Sequence, residues 1–272
     1  MIIRRWDELD ALAAAPGSPA AIRPSAATIG VFDGVHKGHQ ELIRRVLAHA
    51  PALMPVAVTF SDHPKHVTAP ERYMGMLQSL EQKLSTLEAL GIELCVLIDF
   101  SGNFSKLGGN EFVSTLIRSC GVRFFAVGSD FKCGHRLSTD AFGVRDIARS
   151  LDAEVDIVEP VLVDGERVSS SLIRSELAKG RTDRAYAMLG RPYTLDLRAV
   201  EREYSGSTIK LLPRVRGYVL PRNGQYAARI LTAEGSRATT VTVCSSGVKL
   251  DRTSDAASAQ FLEFVANTGY TE

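Results

Sequence analysis

The sequence has little of what would narrow its role at once. Four cysteines stand in 272 residues, Cys95, Cys120, Cys133 and Cys244. They are too scattered to ligate zinc at close spacing and suit free thiols in a reducing, cytoplasmic setting better than a disulfide frame. Charge of one sign is missing too: the formal net charge is +1. That argues against a broad nucleic-acid footprint. No apolar run reaches the roughly 18 residues of a membrane span, and acids interrupt the basic start MIIRRWDELD, so neither a span nor a signal peptide is expected. Internal repeats and low-complexity tracts are absent as well. What the chain does have is 45% hydrophobic residues and length enough for two domains or one large one.

Residues 28–45, TIGVFDGVHKGHQELIRR, are the most informative stretch. An apolar strand leads through a glycine-marked turn to His36-Lys37-Gly38-His39 and then to a helical stripe of Leu42, Ile43, Val46 and Leu47. If the helix begins near Lys37, both imidazoles lie on one side of its first turn. That turn carries unpaired N–H groups and the positive end of the helix dipole, and Gly38 lets an anion come close. The pattern suits a phosphate site. Two histidines at this spacing can also be surface residues or part of a metal site.

Apolar runs and helical patterns alternate through residues 1–189. Strands are expected at Ala27–Phe32, Val56–Phe60, Leu94–Phe100, Phe124–Val127 and Val155–Val158. Helices are expected around Leu80–Leu90, ending at Gly91, and around Phe112–Ile117, ending at Gly121. Alternation of this kind predicts an α/β fold with a doubly wound parallel sheet. Ligands of such sheets bind beyond the carboxyl ends of the strands. His36, His63 and Asp130 each follow a predicted strand and would gather at that edge. After a linker at Gly190-Arg191-Pro192 the texture changes. Thr208–Leu212, Val215–Leu220, Tyr226–Leu231 and Thr239–Cys244 read as short strands, and Asn223-Gly224 reads as a hairpin turn. Residues 190–272 are therefore expected to form a small antiparallel, barrel-like β domain.

Two further segments carry candidate chemistry. Ser169-Ser170-Ser171 precede a helical run and can cap it. If Ser171 is the cap, Arg174 stands where a structural capping box has Glu or Gln. With Arg167 just upstream, the turn offers hydroxyls, N–H groups and guanidinium forks to an anion; an ordinary capped helix with a surface arginine is the plainer reading. In Thr59–Pro64 a turn follows the second strand, and His63 there is a ligand group or a surface residue. In Val127–Gly134, Asp130 is a ligand group or a turn former, and Phe131 stacks on a ligand or fills the core.

Together these segments resemble the bifunctional prokaryotic riboflavin kinase/FAD synthetase family over residues ~1–195. TIGVFDGVHKGHQELI is similar to its nucleotidyltransferase signature, and Thr59–Pro64 to its T-F-x-x-H-P segment. Val127–Gly134 resembles V-G-x-D-F-x-F-G, and Ser169, Ser170, Ser171 and Arg174 resemble S-S-T-x-x-R. Leu177, Gly180, Ala185 and Leu189–Pro192 resemble L-x-x-G…A-x-x-L-G-R-P. The resemblance implies adenylylation of FMN by Mg²⁺–ATP, giving FAD and pyrophosphate. His36, His39 and Arg174 would be catalytic. Gly30, Phe32 and Gly34 would let adenosine approach the backbone, and Arg167, Ser170 and Ser171 would hold the triphosphate. His63, Arg72, Asp130 and Phe131 would serve the flavin.

The chain also departs from that pattern. Ser61 and Asp62 replace a common acid–proline pair, and Ser138 stands where a glycine is expected. In the β region, Leu197–Leu212 lacks the family's G-R-x-L-G-F-P-T-A-N kinase segment, although Pro221, Gly224, Tyr226 and Ala227 match a later P-x-x-G-x-Y-A stretch. This implies a shortened kinase barrel without phosphorylating activity. Another H-x-G-H nucleotidyltransferase and a non-catalytic flavin or nucleotide sensor remain alternatives.

Overall fold

The computed structural model describes residues 1–9, 23–68, 70–100, 104–213 and 217–266. Its contacts divide the chain into two compact units. One is Met1–Arg72 with Leu84–Val161; the other is Tyr73–Lys83 with Leu162–Glu272. The division does not fall at residues 189/190. The second unit takes in the helices of residues 170–189 and a segment from far upstream.

The first unit is built on six parallel strands: β1 (Ile2–Arg5), β2 (Ser25–Ile29), β3 (Met54–Phe60), β4 (Leu94–Ile98), β5 (Val122–Gly128) and β6 (Glu154–Val158). Their order in the sheet is β1-β4-β3-β2-β5-β6. Five of these are the expected strands with ends shifted by a few residues. The sixth, β1, pairs along β4 as an exposed edge and shows no apolar alternation to announce it. At the centre, β2 (SAATI) is buried throughout, as a strand covered on both faces must be.

Both faces are covered by helices, so the sheet is doubly wound as expected. On one side α1 (Lys37–Leu47) buries Leu42, Ile43 and Val46. Ile43 joins Ala57, Cys95 and Leu87, the last from α2 (Leu80–Ala89). On the other side α3 (Gly109–Cys120) and α4 (Ala141–Arg149) bring Phe112, Leu116, Val144 and Ala148 against Ala27, Ile29, Val56 and Val58. The chain leaves β2 toward β3 and leaves its neighbour β5 toward β6. The crevice at the carboxyl ends of β2 and β5 is therefore the topological switch point, where open α/β sheets bind ligands.

In the second unit a small hairpin (Leu162–Val163 with Glu166–Arg167) leads into α5 (Ser170–Ala178) and α6 (Thr182–Leu189). Seven antiparallel strands follow: β7 (Tyr193–Asp196), β8 (Arg202–Ser205), β9 (Thr208–Leu211), β10 (Gly224–Leu231), β11 (Ser236–Cys244), β12 (Gly247–Asp251) and β13 (Phe261–Phe264). They pair in the order β7-β13-β10-β11-β12-β9-β8. In β10 Tyr226, Ala228 and Ile230 alternate inward. Asn223-Gly224 does not form the expected hairpin. Gly224 begins β10, and the tight turn lies beyond it, where Thr232 N–H donates to Gly235 O at 2.9 Å. The reason is tertiary: before Asn223 the chain is held by Arg222 N–H donating to Leu177 O at 3.0 Å, not by a partner strand. Of the expected strand Val215–Leu220, residues 215 and 216 lie outside the described residues, and Tyr218 forms an isolated bridge to Met76 rather than a strand. Among the described residues, no helix is long and apolar enough to cross a membrane.

Candidate active site

The helix α1 begins at Lys37, and His36 is its N-cap. His36 Nδ1 accepts the His39 N–H at 3.4 Å, a long bond that satisfies one of the orphan donors of the first turn. The two imidazoles stack face to face, with centroids 3.6 Å apart and planes 15° from parallel. His36 is 6% exposed. The helix start, the dipole and the paired rings thus occupy one place at the carboxyl end of β2.

The loop between β2 and α1 is bent into conformations that non-glycine residues rarely adopt. Phe32 has φ 52° and Val35 has φ 37°. Each such residue costs about 1–3 kcal/mol, and this kind of strain clusters at functional sites. Burial and hydrogen bonds offset it here. Both side chains are fully buried. Thr59 Oγ1 donates to Val31 O at 3.0 Å, and Gln40 Nε2 donates to Val35 O at 2.9 Å. The Phe32 ring lies over Gly30, where a Cβ would come within 3.2 Å of it, and meets His39 edge-on with centroids 5.0 Å apart. Phe32 therefore turns its side chain into the core and leaves its backbone to the loop.

His63 and Asp130 lie at the same carboxyl edge, just past β3 and β5. Pro64 does more than stop β3: it is the first residue of a short helix, Pro64–Thr68. Asp62 Oδ1 accepts the His63 N–H and Oδ2 bonds His66 Nδ1, both at 2.7 Å. His63 Nδ1 accepts the Lys65 N–H at 3.1 Å. His63 thus caps the first turn of this short helix, and Asp62 braces it from both sides. Asp130 is exposed, whereas Phe131 packs against the core cluster of β5 and α3. The Arg72 side chain lies outside the described residues.

In the second unit the cap of α5 is Ser169, not Ser171; its Oγ accepts the Leu172 N–H at 3.1 Å. Ser170 opens the helix, Ser171 is exposed, and Arg167 is exposed at the end of a small hairpin. Arg174 is no surface residue. It is 6% exposed, and its Nε donates to Gly75 O at 2.7 Å.

Sequence reasoning passed over Asp33, which is 6% exposed within the strained loop. An Asp-Gly pair after a strand reads as an ordinary turn, and the only available signal was the set of apolar neighbours around it. It also passed over Gly75, whose partner Arg174 lies 99 positions away.

Comparison with known proteins bears on the whole chain. Residues 18–172 match the model of the family described as FAD synthetase. The chain is 29% identical over 217 residues to the bifunctional riboflavin kinase/FMN adenylyltransferase of Bacillus subtilis (strain 168), covering 75% of this chain and 67% of that one. It is 29% identical over 211 residues to the protein of that name from Escherichia coli (strain K12), with the same coverage of 75% and 67%. The chain spans about two thirds of the length of the curated relatives it matches. Among solved structures it is similar to a Streptococcus pneumoniae protein described as a macrolide-efflux protein, with a TM-score of 0.78 and 25% identity over 97% of this chain and 98% of that one. With the family match extending over more than half its residues, on a doubly wound sheet whose switch point carries the paired histidines, this chain belongs to the FAD synthetase family.

Proposed function

We infer that the chain is an FMN adenylyltransferase, transferring AMP from ATP to FMN and releasing pyrophosphate. The observation that carries this reading is the stacked His36–His39 pair at the start of α1, at the switch-point edge of the sheet, in a member of the FAD synthetase family. An FMN phosphate oxygen attacks the α-phosphorus of ATP in line. A new P–O–P bridge forms as the bond from that phosphorus to the bridging oxygen breaks, and pyrophosphate leaves with the oxygen and its electron pair. The nucleophile is already an anion, so no base has to take a proton. What is left for the protein is positioning and charge stabilisation.

The geometry suits that work. Because His36 Nδ1 accepts a hydrogen bond, its neutral ring is assigned the proton on Nε2, which can donate to a phosphate oxygen. His39 and the helix N–H groups add donors on the same side. Ser170, Ser171, Arg167 and Arg174 are read as ligands of the triphosphate, and the backbone of Gly30, Phe32 and Gly34 as the approach for adenosine. His63, Arg72, Asp130 and Phe131 are assigned to the flavin side. ATP enters as its Mg²⁺ complex, and that ion belongs to the substrate. Mg²⁺ of this kind is held by one or two carboxylates together with the substrate's own phosphates; no step here runs through a metal ligand of the chain.

Riboflavin kinase activity is read as absent. The Leu197–Leu212 stretch lacks the family's kinase segment, and Glu203, an acid in that region, pairs with Lys210 at 2.9 Å across β8 and β9. Incubating the purified chain with Mg²⁺ and ATP plus either FMN or riboflavin, and identifying the products by chromatography, tests both halves of the reading. FAD from FMN is expected; its absence would refute the adenylyltransferase assignment.

A further inference from the structure

The segment Tyr73–Lys83 lies between β3 and β4 in sequence but packs with the antiparallel sheet. Its hydrogen bonds explain this. Met76 N–H donates to Gly217 O at 2.7 Å, and Met76 O accepts from Val219 N–H at 3.1 Å. Ser79 Oγ donates to Asp196 Oδ2 at 2.9 Å, and Gln82 Nε2 donates to Thr194 O at 3.1 Å, so β7 is gripped twice. Asp196 is held in turn by Arg198 Nε and Nη2 at 2.9 and 2.6 Å. Ser79 and Gln82 also cap α2 reciprocally, each backbone N–H donating to the other's side chain at 3.0 and 3.1 Å.

At the near end of this strap stands Gly75, whose carbonyl receives Arg174 Nε at 2.7 Å. Gly75 has φ +102°, and a Cβ there would lie 2.5 Å from Gly217 O. Only glycine brings a carbonyl to this spot. None of these strap residues falls in the motifs that carry the family resemblance.

We propose that the antiparallel sheet fixes the Arg174 guanidinium for ATP through this strap, with Gly75, Ser79 and Asp196 as its positioning residues. The inference rests on reading Arg174 as a triphosphate ligand. An arginine side chain has many rotamers, and one whose Nε is already held on a carbonyl loses less freedom when a phosphate arrives. The carbonyl is only as fixed as the strap, and the strap is only as fixed as its grips on β7 and on residues 217–219. This gives the sheet a task that needs no kinase segment.

A double-mutant cycle on the full chain tests the coupling. ATP binding is read by calorimetry, which needs no turnover, and KM for ATP and for FMN are read beside it. Ser79→Ala is expected to raise the Kd for ATP roughly fivefold, the scale of one lost hydrogen bond, with KM for FMN unchanged. Gly75→Ala is expected to do more. In an Arg174→Ala background the Ser79→Ala effect is expected to vanish. An Ser79→Ala effect that persists undiminished in that background, or an unchanged Kd in Ser79→Ala, would overturn the proposal. If Gly75→Ala fails to fold, the Ser79→Ala cycle decides alone. A wild-type chain that makes no FAD would refute the adenylyltransferase reading, while the calorimetric cycle would still judge the strap.

Discussion

Gly180 and Tyr226 touch: a Cβ on Gly180 would lie 2.8 Å from Tyr226 Oη. The two residues come from motifs 46 positions apart, L-x-x-G and P-x-x-G-x-Y-A, one a helix end and the other a strand. Tyr226 Oη donates to Arg222 O at 2.7 Å, closing the chain around the α5–α6 turn. The kinase-like stretch thus serves packing inside the second unit. Gly180→Ala, at φ +84°, should destabilise the protein by about 1–3 kcal/mol. Tyr226→Phe removes the clashing oxygen and should shrink the Gly180→Ala penalty in the double variant, as read by urea melts. Strictly additive effects would show that the two residues do not press on each other.

His36→Ala or His39→Ala should leave the fold intact and lower FAD synthesis at least ~100-fold, the scale of a lost transition-state donor. His36→Ala also removes the cap of α1 and should cost about 1 kcal/mol of stability that His39→Ala does not. Near-wild-type rates in both variants would refute the assignment.

Arg174→Ala should weaken ATP binding or turnover by roughly 2–4 kcal/mol, as for loss of a charge-assisted phosphate contact. Lysine at this position should recover only part, since a point charge replaces a fork and the Nε bond to Gly75 O is lost. Titration with ATP checks this, and unchanged affinity and turnover in Arg174→Ala would leave it a purely structural group.

Asp196 gives the second unit a pH dependence. Burial alone would raise its pKa, but hydrogen bonds from the Arg198 side chain and backbone and from Ser79 outweigh that and hold it below the ordinary carboxylate value. A depressed folded pKa means the unfolded chain takes up the proton first. Asp196 therefore contributes stability above the usual carboxylate range, and that contribution fades as pH falls through the lowered folded pKa. Urea melts from about pH 7 down to about pH 3 should show a shallower acid loss in Asp196→Asn than in the wild type. Equal slopes would refute the claim.

Unlike the FMN phosphate, the ribityl hydroxyl of riboflavin is neutral and benefits from a base. The chain should make FAD from supplied FMN and no FMN from riboflavin. FMN formed from riboflavin and ATP, and abolished by changes in the β strands but not by His36→Ala, would overturn this.

Features with a local cause could be read from the sequence. The β2–α1 unit shows as an apolar run, a glycine turn and a helical stripe, and the structure starts the helix at Lys37 with both imidazoles on one side. Five strands of the parallel sheet announced themselves as apolar runs. Features held by distant partners could not be read. β1 is an exposed four-residue edge held by pairing along β4. β7, β8, β12 and β13 are short strands whose pairing comes from the sheet. Asn223-Gly224 has the composition of a hairpin but the neighbours of an irregular lead-in. The depth of Arg174 depends on Gly75, and no local pattern around either residue points to the other.

The placement of β13 bears on how the protein is made. Phe261–Phe264 lies in the interior of its sheet, between β7 and β10. A ribosome must therefore pass Phe264 before β7 has its partner, and β7 is the strand that Ser79 and Gln82 grip. At ~5–20 residues per second the strap waits on the order of 10–35 seconds for its anchor. Late in that interval the nascent chain carries a parallel sheet that can already form and a strap whose partner strand β7 still lacks β13. A messenger cut short of β13 would yield that half-moored state permanently, a natural target for proteolysis.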